Sequence, residues 1–178
     1  MIRTERLELI PATPDLLAAA LDGPAALSEG LGARVPSSWP PEFLDPPALE
    51  FTRRRLAEAP HDGAWWMYFI VLPAADDRVL IGSAGYKGPP AEGTVEIGYG
   101  IVTDHQRQGY ASEAVRGLVA RAFRVPVVHR VIAETLPQLT PSIGVLQKCG
   151  FELTGEGSAP GVIRFELTRA AYRADGQA

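Results

Sequence analysis

The chain begins with alternation. In "RTERLELIPAT" Leu7 and Leu9 alternate with Arg6 and Glu8, which predicts a half-buried strand. Thr13 or Asp15 is then placed to cap a helix through "LLAAAL". Residues 36–47, "PSSWPPEFLDPP", hold five prolines in twelve positions. Proline lacks the N–H that helix and sheet interiors need, so this stretch is predicted as a loop. From Pro47 to Ala59 the pattern turns helical. "WWMYFIVLP" and "RVLIGSAGYKG" read as two strands joined by the turn-like "AADD", and "GPPAEG" turns into a third, "TVEIGYGIV". Three strands with short polar turns predict an antiparallel meander.

In the second half, Ala111, Ala114, Val115, Leu118, Val119, Ala122 and Phe123 fall at helical spacing and form one apolar stripe. Ser112, Glu113, Arg116 and Arg121 lie off it. "VVHRVIAETL" follows as a strand and "TPSIGVLQKCG" as a short helix, with Thr140 as its cap, Pro141 at its first position and Gly150 at its end. "FELTGEG" and "GVIRFELT" close the sheet as a hairpin. A meander followed by strand–helix–strand predicts a mixed α+β sheet, its parallel pair involving the strand after the long helix. No linker or internal repeat divides residues 1–178, so one domain is expected.

Composition removes several function classes. A formal net charge of −4 argues against a general nucleic-acid binder, and Arg53-Arg54-Arg55 reads as the solvated side of a helix. The single cysteine, Cys149, excludes an internal disulfide and a multi-cysteine metal site. His61, His105 and His129 show no ligand spacing, so no metal is expected. No apolar run is long enough to span a membrane, and the charged start is unlike a signal peptide. The expectation is a soluble, cytoplasmic protein with no membrane or nucleic-acid partner.

The chemistry gathers around "TVEIGYGIVTDHQRQGYASEAV". Val95, Ile97, Tyr99 and Ile101 share one strand face, while Glu96, Gly98 and Gly100 share the other. Glycine inside a strand marks a bulge or a close approach by a ligand or another backbone. The strand then enters the long helix, whose N-terminus offers unpaired N–H groups and the positive end of the helix dipole. With Gly109 before it and Arg107 adding charge, the stretch suits phosphate. The three-glycine dinucleotide fingerprint and the P-loop lysine are both absent.

What remains, Gln106-x-x-Gly109-x-Ala111 between a glycine-bearing strand and an amphipathic helix, resembles the GNAT superfamily of acetyl-CoA-dependent N-acetyltransferases. "TERLEL", "EIGYGI", "GYASEAV" and "SIGVLQKCGF" are similar to the subgroup of RimJ and RimL type, which acetylates N-termini of ribosomal proteins. The resemblance implies a mostly antiparallel sheet flanked by helices, with a splayed strand pair that holds acetyl-CoA as cosubstrate. It implies coenzyme contacts from Gly100, Ile101 and Val102 on the strand and from Gln106, Arg107, Gln108, Gly109, Tyr110, Ala111 and Ser112 in the loop. It also implies an oxyanion donor among the backbone N–H groups near Gly100 or Ile101.

Glu96 is the candidate general base, since it shares a face with the two glycines; a paired surface carboxylate is the other reading. A carboxylate near pKa ~4 is a weak base for a lysine amine at ~10.4 and better matched to an α-amine at ~7.7–8.0. Leu139 and Leu146 stand where many family members carry an asparagine and a tyrosine. Ser142, at a position where the RimL-like subgroup has serine, is the candidate acid, unless it is a plain helix-start serine. Cys149 reads as a buried, inert thiol. The resemblance places the acceptor near Trp39, Phe43 and Trp65, with Trp66, Glu42 and Asp45 nearby; the local sequence around Trp39 and Phe43 favours packing against the core over a binding-site wall. The acceptor is a primary amine, on a protein N-terminus or a small molecule, and the assembly a monomer or homodimer. The alternative function is a catalytically weak acyl-CoA-binding or sensor protein of the same fold.

Overall fold

The computed structural model describes residues 1–74 and 77–174. Eight strands make one sheet in the order β1-β2-β3-β4-β5-β6-β8-β7. They are β1 (Ile2–Arg3), β2 (Glu8–Pro11), β3 (Met67–Leu72), β4 (Val79–Tyr86), β5 (Thr94–Ile101), β6 (Arg130–Thr135), β7 (Glu152–Glu156) and β8 (Ile163–Thr168). Every neighbouring pair is antiparallel except β5 and β6, which run parallel. The meander and the parallel pair are therefore where the sequence pattern predicts them. The expected turn "AADD" lies partly outside the described residues.

Among the described residues six helices flank the sheet: α1 (Pro14–Asp22), α2 (Pro24–Leu31), α3 (Pro46–Glu58), α4 (Tyr110–Phe123), α5 (Thr140–Lys148) and α6 (Arg169–Ala174). Thr13 caps α1, its hydroxyl accepting from the Leu16 N–H at 3.2 Å, and Asp45 caps α3 through the Ala48 N–H at 2.9 Å. Helix α2 was not anticipated. It starts on Pro24 and stops at Gly32 in the left-handed region (φ 57), the usual proline-start and glycine-stop asymmetry, and buries Leu27 and Leu31 one turn apart. Nor was α6, whose Arg169 guanidinium donates to the carbonyl of Phe123, the last residue of α4, and to those of Val125 and Val128 beyond it.

Two apolar layers flank the sheet. One face packs on α4 and α5 through Leu7, Leu9, Ile97, Leu118, Leu146 and Phe165. The other packs on the N-terminal helices through Leu17, Leu27, Leu49, Phe69 and Leu80. The predicted stripe of α4 is buried from Ala114 to Phe123, with two corrections: Ala111 is only partly buried, and Ser112, placed off the stripe, is 4% exposed, its carbonyl accepting the Cys149 thiol. At α5 the cap is Leu139, Thr140 is the first helical residue, and the Thr140 side chain makes no cap bond. Gly150 (φ 84) does end the helix. Its N–H reaches the Gln147 carbonyl and the Phe151 N–H reaches that of Leu146, the paired bonds of a Schellman motif. Trp65 belongs to a 3₁₀ turn over Pro60–Trp65, so β3 begins two residues later than its pattern predicts.

Candidate active site

The parallel ladder between β5 and β6 pairs Thr94 with Arg130 and ends at Ile97 with Ala133. Each strand continues beyond that point with its outer neighbour: β5 stays on β4 as far as Ile101, and β6 stays on β8 as far as Thr135. The two strands therefore separate, leaving Gly98–Ile101 without a partner on that side. Hydrogen-bonded pairs alternate along an antiparallel ladder, and two bonds fix the alternation here. The Lys87 N–H donates to the Glu96 carbonyl and the Val102 N–H to the Ile81 carbonyl, both at 2.9 Å. Even-numbered residues of β5 thus turn their backbone groups to β4, while Tyr99 and Ile101 turn theirs into the wedge. Gly100 is accordingly corrected as an N–H donor: its amide belongs to the β4 ladder, and the free amides are those of Tyr99 and Ile101.

The two faces of β5 separate as the sequence predicts. Ile97 and Ile101 are buried toward α4 and α5, with Tyr99 partly buried beside them. Glu96, Gly98 and Gly100 face the other way. A Cβ at Gly100 would lie 3.1 Å from Pro41 Cβ, so this glycine admits the proline-rich loop rather than a ligand. A Cβ at Gly98 would meet nothing within 4 Å, so this position opens onto space. Glu96, on the same face, is ion-paired with Lys87.

The aromatic residues do not gather as one wall. Phe43 is 70% exposed, in the left-handed region (φ 68) of the loop that covers Gly100. Trp39 packs on the buried Phe69, with ring centroids 6.0 Å apart. Trp65 lies on the α4 face, 4.9 Å from the Tyr86 ring and beneath the Arg121 guanidinium at 4.4 Å. Tyr86 is the cross-strand partner of Ile97, so Trp65 stands on the opposite face from Glu96, which corrects its placement at the acceptor side. Trp66, its neighbour, packs against Phe51 of α3 with its indole N–H buried and unpartnered. Asp45 is occupied as the α3 cap.

After β5 the chain makes a 3₁₀ turn over Thr103–His105, passes through Arg107 (φ 60) and Gly109 (φ 86), and enters α4. The first bond of the helix is from the Glu113 N–H to the Gly109 carbonyl, and no side chain caps its start. The amides of Tyr110, Ala111 and Ser112 are therefore the unpaired first-turn donors. Gln106 turns inward, its Nε2 donating to the Ile101 carbonyl at 2.9 Å, which ties the loop to the edge of the wedge.

Arg6, missed in the sequence, flanks this loop. Its guanidinium lies 4.6 Å over the Tyr110 ring and donates to the Gln108 carbonyl at 3.1 Å. It also donates to Glu113 at 2.7 Å, and the Thr4 hydroxyl reaches the same carboxylate at 2.6 Å. Burial works to raise the Glu113 carboxyl, but the bonds from Thr4 and Arg6 win and hold it below the usual carboxylate range. No local pattern could reveal a contact between residues 107 positions apart.

Near the wedge, the Tyr99 phenol lies 3.0 Å from the Ser142 carbonyl oxygen and 3.1 Å from its hydroxyl. Burial pushes the phenol up to about 12, although the Ser142 bond acts to lower it. Leu146 is fully buried in the core, while Cys149 is buried with its thiol pushed up by burial. Among the described residues no cluster of three or more His, Cys, Asp or Glu could hold a metal, and no helix is long and apolar enough to cross a membrane.

The comparisons agree with this geometry. The family model for the acetyltransferase (GNAT) domain matches residues 6–152. YjdG of Bacillus subtilis, named as an N-acetyltransferase and itself uncharacterised, is 28% identical over 86% of this chain and 90% of its own length. A proposed ribosomal-protein-serine acetyltransferase from Vibrio cholerae superposes with a TM-score of 0.62 at 22% identity, covering 94% of this chain and 96% of the other. The aminoglycoside acetyltransferase AAC(6′)-Ib, solved with coenzyme A, gives a TM-score of 0.61 at 21% identity over 95% and 97%. The open strand pair that leads into a helix of unpaired amides is thus set in a recognised frame: the chain belongs to the GNAT family and is an N-acetyltransferase.

Proposed function

We propose that the wedge receives the pantetheine arm of acetyl-CoA, that the amides at the start of α4 hold its pyrophosphate, and that a primary amine enters over Gly98. The observation that carries this is the end of the β5–β6 ladder at Ile97 and Ala133, one strand-end away from the uncapped helix. The residues fit such a ligand. The wedge edge offers the Tyr99 and Ile101 amides, and the Tyr110, Ala111 and Ser112 amides suit phosphate oxygens beside Arg107. When bound, acetyl-CoA supplies the thioester carbonyl that the amine attacks.

In this reading Glu96 takes the proton from the amine, directly or through a water, and Lys87 orients the carboxylate. A wedge amide donates to the carbonyl oxygen as negative charge develops there. The Tyr99 phenol, accepting from the Ser142 hydroxyl, turns its one O–H from the Ser142 carbonyl to the departing sulfur. Phe43 and the loop around Pro41 border the acceptor side. We place the acceptor with protein N-termini, as in enzymes of RimJ and RimL type, supported by "TERLEL" and "SIGVLQKCGF" and by the V. cholerae neighbour.

Two measurements test this reading. Thermal stability is compared with acetyl-CoA, CoA and NADH for wild type and Gly109→Trp; the CoA species stabilise wild type alone, and NADH neither. Thiol release is then followed with a peptide bearing a free N-terminal serine, with spermidine and with an aminoglycoside. Turnover of the peptide, reduced about 10² or more in Glu96→Gln with unchanged CoA affinity, is expected. CoA protection without turnover of any amine would leave a binding or sensor protein instead.

A further inference from the structure

A second site lies away from the wedge. Between β1, the start of α1, the end of α3, the Pro60–Trp65 turn and the C-terminal half of α4 is a cavity of ≈ 730 Å³. That volume is typical of small-molecule pockets. Its apolar wall includes Ile2, Pro11, Pro14, Leu56 and Pro60, and it contains three arginines, Arg3, Arg121 and Arg124, but no Asp or Glu. In a chain with 21 acidic and 17 basic residues, a cavity with that bias is a local reversal of charge.

The two side-chain hydroxyls of the cavity are already engaged. The Tyr68 hydroxyl donates to the Ala64 carbonyl at 2.7 Å, and the Thr13 hydroxyl caps α1. Arg3 reaches Glu8 only at 3.6 Å. Among the described residues, Arg121 and Arg124 have no carboxylate partner, whereas Arg53 and Arg78 pair with Glu50 and Glu8. The Arg121 guanidinium is fixed, stacked 4.4 Å over Trp65 and 5.3 Å over Tyr86, with Nη1 buried and lacking an acceptor. Complementing the end of α4 does not explain it, because Arg169 already bonds the terminal Phe123 carbonyl.

We infer that this cavity binds an organic oxyanion, a carboxylate or phosphate carried on a small apolar body. Arg121, held flat by two aromatic rings, presents a fixed guanidinium charge to the anion, Arg124 adds charge at the mouth, and the proline and leucine wall takes the apolar part. The site is distinct from the coenzyme loop: Arg121 is twelve residues along α4 from Gly109, about 18 Å at 1.5 Å per residue.

The test is calorimetric titration with benzoate, phenyl phosphate and inorganic sulfate, with benzylamine as the cationic control, on the full chain in the presence and absence of saturating CoA. Benzoate or phenyl phosphate binds with CoA present, sulfate binds more weakly and benzylamine does not bind. The affinity falls about tenfold or more in Arg121→Gln and measurably in Arg124→Gln, while CoA affinity is unchanged in both. Arg124→Gln, on an exposed side chain, keeps the test valid if loss of the Arg121 stack unfolds the protein. Anion binding abolished by CoA would place it at the α4 N-terminus and overturn the inference. Equal affinity in both variants, or no anion binding at all, would also overturn it.

Discussion

Gln106 donates from Nε2 to the carbonyl oxygen of Ile101 at 2.9 Å. Ile101 is the last residue of β5, and its carbonyl points into the wedge where β6 no longer accompanies it. The glutamine therefore satisfies an orphaned strand carbonyl and anchors the loop that presents the α4 amides. Gln106→Ala removes that anchor. The expected result is a stability loss of about 1 kcal/mol together with weaker CoA binding, read by thermal unfolding and by CoA titration. An unchanged CoA affinity would show that the loop holds its shape without the bond.

Glu113 links the N-terminal segment to the first turn of α4, and its carboxyl lies below the ordinary range in the folded protein. A depressed carboxyl contributes stability above its unfolded pKa, near 4.5, and loses that contribution as pH falls through the lower folded value. Glu113→Gln is expected to lower the melting temperature by a few degrees at pH 7, and its deficit shrinks as pH drops below about 4. Glu134, held down by Ser158 and Arg164 against its own burial, keeps part of the acid sensitivity in the variant. A deficit that stays constant from pH 7 to pH 3 would contradict this account.

Tyr99 has its phenol pushed up to about 12, so it remains protonated through any practical assay range. In the proposed reaction its contribution is a hydrogen bond rather than a titration. Tyr99→Phe should lower kcat about tenfold, by a factor that does not change between pH 6 and about pH 10. Ser142→Ala, which leaves the phenol its carbonyl acceptor, should cost less. A pH-rate inflection that disappears in Tyr99→Phe would assign the tyrosine a proton-transfer role instead.

Gly98 and Gly100 share a face but differ in surroundings. A side chain at 100 meets Pro41 at 3.1 Å, whereas one at 98 meets open space. Gly100→Val is expected to destabilise the fold by displacing the proline-rich loop, visible in thermal unfolding. Gly98→Val should leave unfolding little changed and raise the KM for the amine while CoA affinity stays intact. Equal effects on stability at the two positions would mean that the space beside Gly98 is closed in the folded protein.

By itself the sequence determined the ordered frame. The alternation in "TVEIGYGIV", the stripe of α4 and the glycine before it are local patterns, and period, capping and glycine chemistry act over a few residues. The short α2 and α6 escaped because one or two turns carry too little periodicity. The uncapped helix start after Gly109 was legible for the same local reason, since a helix start exposes its amides wherever it is formed. Tertiary structure decided which β5 amides are free, because that depends on where β6 departs. It paired Glu96 with Lys87 and Tyr99 with Ser142, and it sent Trp65 to the face opposite Glu96. It also brought Arg6 and Glu113 together and left Arg121 without a carboxylate. Each of these is a meeting of residues distant in sequence or a choice between sheet faces, set by packing and strand register, which no short window of the chain contains.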